Sequence, residues 1–169
     1  RNGDGDGETE CSVVAFNRDI KDIVNPNEDG SYKVAPGDRV INTKNHAELD
    51  VWNGTTGKCD KLDSDGAMWV RLDYKNSAGE DYVLIPKKEA REWQLSYALT
   101  VHKSQGSQYR KVYFVVSRRD QMNLLSRPMV YTAVTRAKKV CTVVGDVQAF
   151  HNSIRTVVRK LTVMQEVSR

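Results

Sequence analysis

Thr100-Val-His-Lys-Ser-Gln-Gly106 stands between a strand-like run, Trp93 to Leu99, and a helix-like start, and Tyr131-Thr-Ala-Val-Thr-Arg-Ala-Lys-Lys139 follows as a second block. Each block sets cationic or amide side chains beside small residues where a strand runs out. In an α/β sheet that is where backbone amides and helix N-termini face phosphate. The two blocks predict an α/β fold whose ligands are phosphates, on a nucleotide or on nucleic acid.

Downstream of Trp93 the pattern gives a strand at 93–101, a helix-like turn, a strand over Val112–Val116 and a helix introduced by Ser126-Arg-Pro128. A strand over Val140–Val144 follows, then a final helix with Phe150, Ile154, Val157, Leu161 and Met164 on one face. Upstream, Ser12–Phe16 reads as a short strand, and Asn17 as the N-cap of a helix carrying Ile20, Ile23 and Val24 on one face and stopped by Pro26. From Gly37 to Trp93 the rhythm changes to short alternating stretches separated by Asn53-Gly54, Ser64-Asp65-Gly66 and Ser77-Ala78-Gly79 turns. That is the pattern of a small antiparallel β-barrel inserted into something else.

A chain of 169 residues with 39% apolar content can build one ordinary core, or one core and a small module. Its formal charge of +4 is unevenly spread. Residues 1–30 carry 3 basic and 8 acidic side chains, 31–95 carry 10 and 11, and 96–169 carry 13 and 3. A basic segment of that size attracts polyanions, although a solvated basic surface is the plainer reading. Cys11, Cys59 and Cys141 stand far apart without a CxxC, which indicates neither zinc nor a disulfide framework and makes reduced thiols in the cytoplasm the expectation. No apolar run approaches the ~18 residues of a membrane span, and no leader pattern opens the chain. A start at Arg1 rather than Met suggests a piece of something longer.

Two decoys fall to spacing. The acidic opening Asn2-Gly-Asp-Gly-Asp-Gly-Glu resembles a calcium loop, but the required glutamate position is Val13, so 1–10 is expected to be a flexible acidic lead-in. Gly54-Thr-Thr-Gly57-Lys58-Cys59 resembles a phosphate loop, but it has two residues between its glycines where the motif needs four, and a cysteine where it needs Ser or Thr.

Trp93-Gln-Leu-Ser-Tyr-Ala-Leu-Thr-Val-His-Lys-Ser-Gln-Gly-Ser107 resembles the motif V region of superfamily 1 helicases of the RecD-like, 5′-to-3′ branch. Asn123 to Lys139, running into Val143-Val-Gly-Asp146, resembles motif VI and its following strand. Gly37-Asp-Arg-Val40, with Lys44-Asn45 and Val51-Trp-Asn-Gly54, is similar to the start of the SH3-like insertion called 2B, and Val13-Val-Ala-Phe-Asn-Arg18 fits the opening of the matching part. The resemblance covers roughly residues 11 to 155. It implies a RecA-like domain, 2A, over 11–37 and 93–169, without its own P-loop and with an SH3-like β-barrel inserted over 38–92. The motor domain holding Walker A and Walker B would lie upstream.

What the resemblance implies about chemistry can be assigned residue by residue. Arg136 matches the motif VI arginine that meets the γ-phosphate of ATP, where a planar, always-charged fork suits phosphate oxygens. Without the flanking motif it would read as a solvated helix arginine beside Lys138 and Lys139. Gly106 and Gln108 fall on the nucleotide side; the family usually has glutamate at the second of these, and glutamine keeps an acceptor without the charge. Asn17, Arg18, Thr100, His102, Lys103 and Ser104 fall where family members meet single-stranded DNA or couple it to the nucleotide cleft. For His102 a structural histidine at a strand end is the alternative, and for Gly106 a turn glycine. Trp52, Trp69 and Tyr74 could stack bases or fill the barrel core, with core favoured for Trp69. Asn45 and Asn53 equally suit turns. The implied cofactor is ATP with Mg2+, bound mainly by the upstream domain. The implied partners are single-stranded DNA, that upstream domain, and repair or recombination proteins, with no membrane. A non-catalytic nucleic-acid or protein interaction module is the competing reading.

Overall fold

A computed structural model describes residues 12–118 and 125–155. They form an α/β arrangement in two compact units, one running through Thr100 and one starting at Val101. The expected acidic lead-in over 1–10 lies outside the described residues, as do Val157, Leu161 and Met164.

The first unit opens with helix α1 (Val13–Val24). This corrects the expectation of a strand over Ser12–Phe16 with Asn17 as cap. The β-branched Val13 and Val14 favour extended backbone only modestly, and Ser12 overrides them. Itself extended, Ser12 accepts the Ala15 N–H on its hydroxyl at 3.0 Å, satisfying one of the donors a helix start leaves open. The inward face is also not the expected apolar stripe. Asn17 and Lys21 are buried, whereas Ile23 is 82% and Val24 63% exposed.

That polar face has partners. Lys21 Nζ lies 2.7 Å from Asp38 Oδ2, with neither side chain exposed, and also donates to the Asn25 carbonyl at 3.1 Å. Asn25 Nδ2 and the Tyr97 hydroxyl donate to Asp38 Oδ1 at 2.7 and 2.8 Å, and the Ala35 N–H donates to Oδ2 at 2.8 Å. Burial works to raise the Asp38 carboxyl, but the donors from Lys21, Asn25, Ala35 and Tyr97 outweigh it and hold it below its ordinary 3.8. Burial, then the bond to Asp38, pushes Tyr97 up to about 12.

Five antiparallel strands follow: β1 (Arg39–Asn42), β2 (Thr56–Leu62), β3 (Met68–Leu72), β4 (Tyr82–Ile85) and β5 (Trp93–Leu95). Their order is β4-β3-β2-β1-β5. A short 3-10 turn, Ala47–Leu49, lies between β1 and β2, and helix α2 (Lys87–Ala90) lies between β4 and β5. Period-two alternation sends Val40, Cys59, Met68, Val70, Leu72, Val83, Ile85 and Trp93 to one side, where they join Val51 in the core. Within it, burial and then the nearby Asp38 and Asp60 charges push the Cys59 thiol up to about 11.

The pattern from 37 to 93 therefore yields antiparallel strands as expected, with β2 and β5 as additions. Trp93–Leu95, expected to begin an α/β strand reaching 101, pairs with β1 instead: Val40 faces Leu95 and Asn42 faces Trp93. The core tryptophan is consequently Trp93, 3% exposed, rather than Trp69. Trp69 sits between two inward residues of β3, half-buried, with its indole N–H donating to Asp63 at 2.9 Å. The false phosphate loop becomes the bend at Gly54 and the start of β2.

The second unit is a parallel pair, β6 (Tyr109–Val116) and β7 (Ala137–Gly145), with helix α3 (Arg127–Val134) in the crossover and helix α4 (Val147–Arg155) after β7. A parallel pair requires such a crossover. Ser126 stands at the α3 N-cap with proline in the first turn, as the Ser-Arg-Pro sequence predicts. Phe114, Val116, Leu125, Val130, Ala133 and Ala149 form the core, with Cys141 and Phe150 packed against it. On α4 the buried positions are Ala149 and Ser153, while Ile154 is 41% exposed. Gly145 turns the chain from β7 into α4 at φ +111, where a Cβ would lie 2.1 Å from the Val116 carbonyl oxygen.

Candidate nucleotide and nucleic-acid site

In the first unit, Asn17 is 6% exposed and bound on both sides of its amide. Its Nδ2 donates to the Val13 and Ala98 carbonyls at 2.8 and 2.9 Å, and its Oδ1 accepts the Ala98 N–H at 3.0 Å. Two bonds spanning 81 residues of sequence fasten the segment that leads to Thr100 onto α1. Arg18 is half-buried, its guanidinium 5.1 Å from the centre of the Tyr32 ring, a cation–π distance. Thr100 is exposed.

The remaining aromatics stand on two loops, Trp52 between β1 and β2 and Tyr74 between β3 and β4. Trp52 and Tyr74 are 48% and 44% exposed, and both reach Thr55: its hydroxyl accepts the Trp52 N–H at 2.9 Å and lies 2.8 Å from the Tyr74 hydroxyl. Asn45 accepts the Asn53 N–H at 2.8 Å, the work of a turn residue.

In the second unit, residues 101–106 form a run of tight turns. Gln105 N–H donates to His102 O at 3.1 Å, Ser107 N–H to Ser104 O at 3.1 Å, and the Ser104 hydroxyl to Val101 O at 2.8 Å. His102 and Lys103 stand exposed on this turn and Ser104 is half-buried. Gly106 adopts φ +83 with nothing within 4 Å of where a Cβ would lie, so backbone conformation rather than space demands glycine there. Gln108 is exposed.

Arg136 lies in the turn between α3 and β7 and is half-buried. Its Nε donates to Thr132 O at 3.0 Å, Nη1 to Ser107 O at 3.1 Å and Nη2 to Thr135 Oγ1 at 3.2 Å. Tyr109 N–H also donates to Arg136 O at 2.8 Å. The structure thus brings Arg136 onto the carbonyl that follows Gly106, joining the two sequence blocks. A guanidinium has five N–H donors, so three bonds leave one on each terminal nitrogen. The residues that hold it escaped the sequence reading. Ser107 acts through a backbone carbonyl, which carries no sequence signal, and Thr135 was marked only by standing next to the arginine. Among the described residues no group of three or more His, Cys, Asp or Glu is placed to hold a metal ion.

Residues 95–144, spanning both blocks, match the UvrD-like helicase C-terminal domain. Over 128 residues the chain is 37% identical to the ATP-dependent RecD2 DNA helicase of Deinococcus radiodurans, covering 73% of this chain and 17% of that protein. Over 125 residues it is 32% identical to the RecBCD enzyme subunit RecD of Haemophilus influenzae, again covering 73% of this chain and 17% of the relative. The chain is a RecD-like helicase C-terminal region. It spans less than a fifth of the length of these two relatives. Among solved structures it shares its fold with Bacteroides Pif1 bound to ssDNA, at 18% identity and a TM-score of 0.50, over 82% of this chain and 39% of that one.

Proposed function

We propose that this chain is the second motor domain of an ATP-dependent 5′-to-3′ DNA helicase, and that Arg136 is the arginine it presents to the γ-phosphate. The observation carrying this reading is the Arg136 guanidinium, held against the loop that follows Gly106 with a donor remaining on each terminal nitrogen. Residues 11–37 and 93–169 act as the RecA-like part and 38–92 as an SH3-like insertion. Gly106 and Gln108 lie toward the nucleotide. Thr100, His102, Lys103 and Ser104 grip the phosphates of single-stranded DNA, Arg18 adds a further cation for them, and Asn17 contributes through its hold on Ala98. ATP with Mg2+ binds mainly to an upstream domain of the same cytoplasmic protein, which works with repair or recombination partners.

In the full-length enzyme at saturating single-stranded DNA, Arg136→Ala is expected to lower kcat for ATP by about 10³-fold or more while leaving DNA affinity near normal. Arg136→Lys is expected to fail as well, because an ammonium cannot reproduce the fork. Near-normal kcat in a folded Arg136→Ala enzyme would remove the residue from the site. It would favour the second reading, an interaction module without catalysis, for which the same three bonds serve only to close the end of α3 and to hold the loop at Ser107 against it.

A further inference from the structure

We propose that Thr135 is a positioning residue for Arg136: its hydroxyl fixes the plane of the guanidinium and does not itself touch the nucleotide. The proposal rests on the reading of Arg136 given above.

Thr135 ends α3, with φ −70 and ψ −6, and its side chain faces back along the helix. A hydroxyl has one proton and two lone pairs. The Thr135 proton goes to Thr132 O, at 3.0 Å, so toward Arg136 Nη2, at 3.2 Å, the oxygen can only accept. The direction of both bonds is therefore set. The Thr132 carbonyl accepts from Nε and from Thr135, the Ser107 carbonyl accepts from Nη1, and Thr135 Oγ1 accepts from Nη2. Each of the three guanidinium nitrogens has one acceptor, which defines a plane. Two of those acceptors are backbone carbonyls that survive any substitution; the third exists only as the Thr135 hydroxyl. Its remaining lone pair would repel a phosphate, so its effect on the nucleotide must pass through Arg136.

Valine replaces the hydroxyl with a methyl of similar size, and serine keeps the hydroxyl while dropping the methyl. In the full-length enzyme with saturating single-stranded DNA, Thr135→Val is expected to lower kcat for ATP by at least about fivefold, the worth of one hydrogen bond, and more if the fork moves. KM for ATP, DNA affinity and the melting temperature should hold, and Thr135→Ser should recover most of the lost kcat. Combined with Arg136→Ala, Thr135→Val should add nothing further, because its effect runs through the missing side chain.

Wild-type kcat in a folded Thr135→Val enzyme, alongside a dead Arg136→Ala enzyme, overturns the role of Thr135 and leaves Arg136 standing. An active Arg136→Ala enzyme removes the foundation, and both fall. Thr135→Ala serves if the valine does not fold. If neither folds, Thr135 holds the helix end rather than the guanidinium, and the proposal is overturned.

Discussion

Lys21 and Asp38 face each other with no exposure to water, and the cost of taking both charges out of solvent is repaid only because each carries further bonds. Removing one partner leaves the other uncompensated. Lys21→Met is expected to destabilise the first unit by about 3 to 5 kcal/mol, read as a shift in the urea midpoint followed by tryptophan fluorescence. A loss below about 1 kcal/mol would mean that water or protonation replaces the lysine. Nothing in the sequence singled out Lys21, because a lysine on a helix is normally solvated. Asn17 was picked out for DNA, yet its amide serves Ala98. The block around Arg136 was legible as helicase sequence because it is long and distinctive. The acceptors on the Arg136 guanidinium were not, since two of them are main-chain oxygens.

At the scale of elements, strands β1, β3 and β4 and helix α3 followed from local signals: alternation between glycine turns, and a serine-proline start. α1 did not, because Val-Val-Ala-Phe suits a strand until Ser12 caps it. β5 did not either, since three residues carry too little periodicity to show which sheet they join. The junction of β7 and α4 gives the sharpest test at this scale. Gly145→Ala must place a Cβ 2.1 Å from Val116 O at a φ of +111. The strand pair and α4 cannot both keep their places, and the variant is expected to lose more than ~1 kcal/mol. Hydrogen exchange should show faster opening of β6 and β7 amides with little change in the first unit. Unchanged protection in β6 and β7 would mean that the turn relaxes without cost.

For the whole molecule, charge is the property that sequence states most directly and that structure then distributes. With 13 basic and 3 acidic residues over 96–169, the chain is expected to bind single-stranded DNA weakly and without base preference, its affinity falling steeply with salt. Fluorescence anisotropy at several salt concentrations reads the slope, and salt-independent binding would overturn the backbone-contact reading. Cys59 gives the molecule a different kind of property. Its thiol is fully buried on β2, between β1 and β3, and is pushed up to about 11, so at neutral pH it offers almost no thiolate to a reagent. Alkylation must wait until β2 parts from its neighbours. With Cys11 and Cys141 replaced by serine, the labelling rate becomes a clock that counts each opening of the sheet, including those too rare and too brief for any spectrum to record.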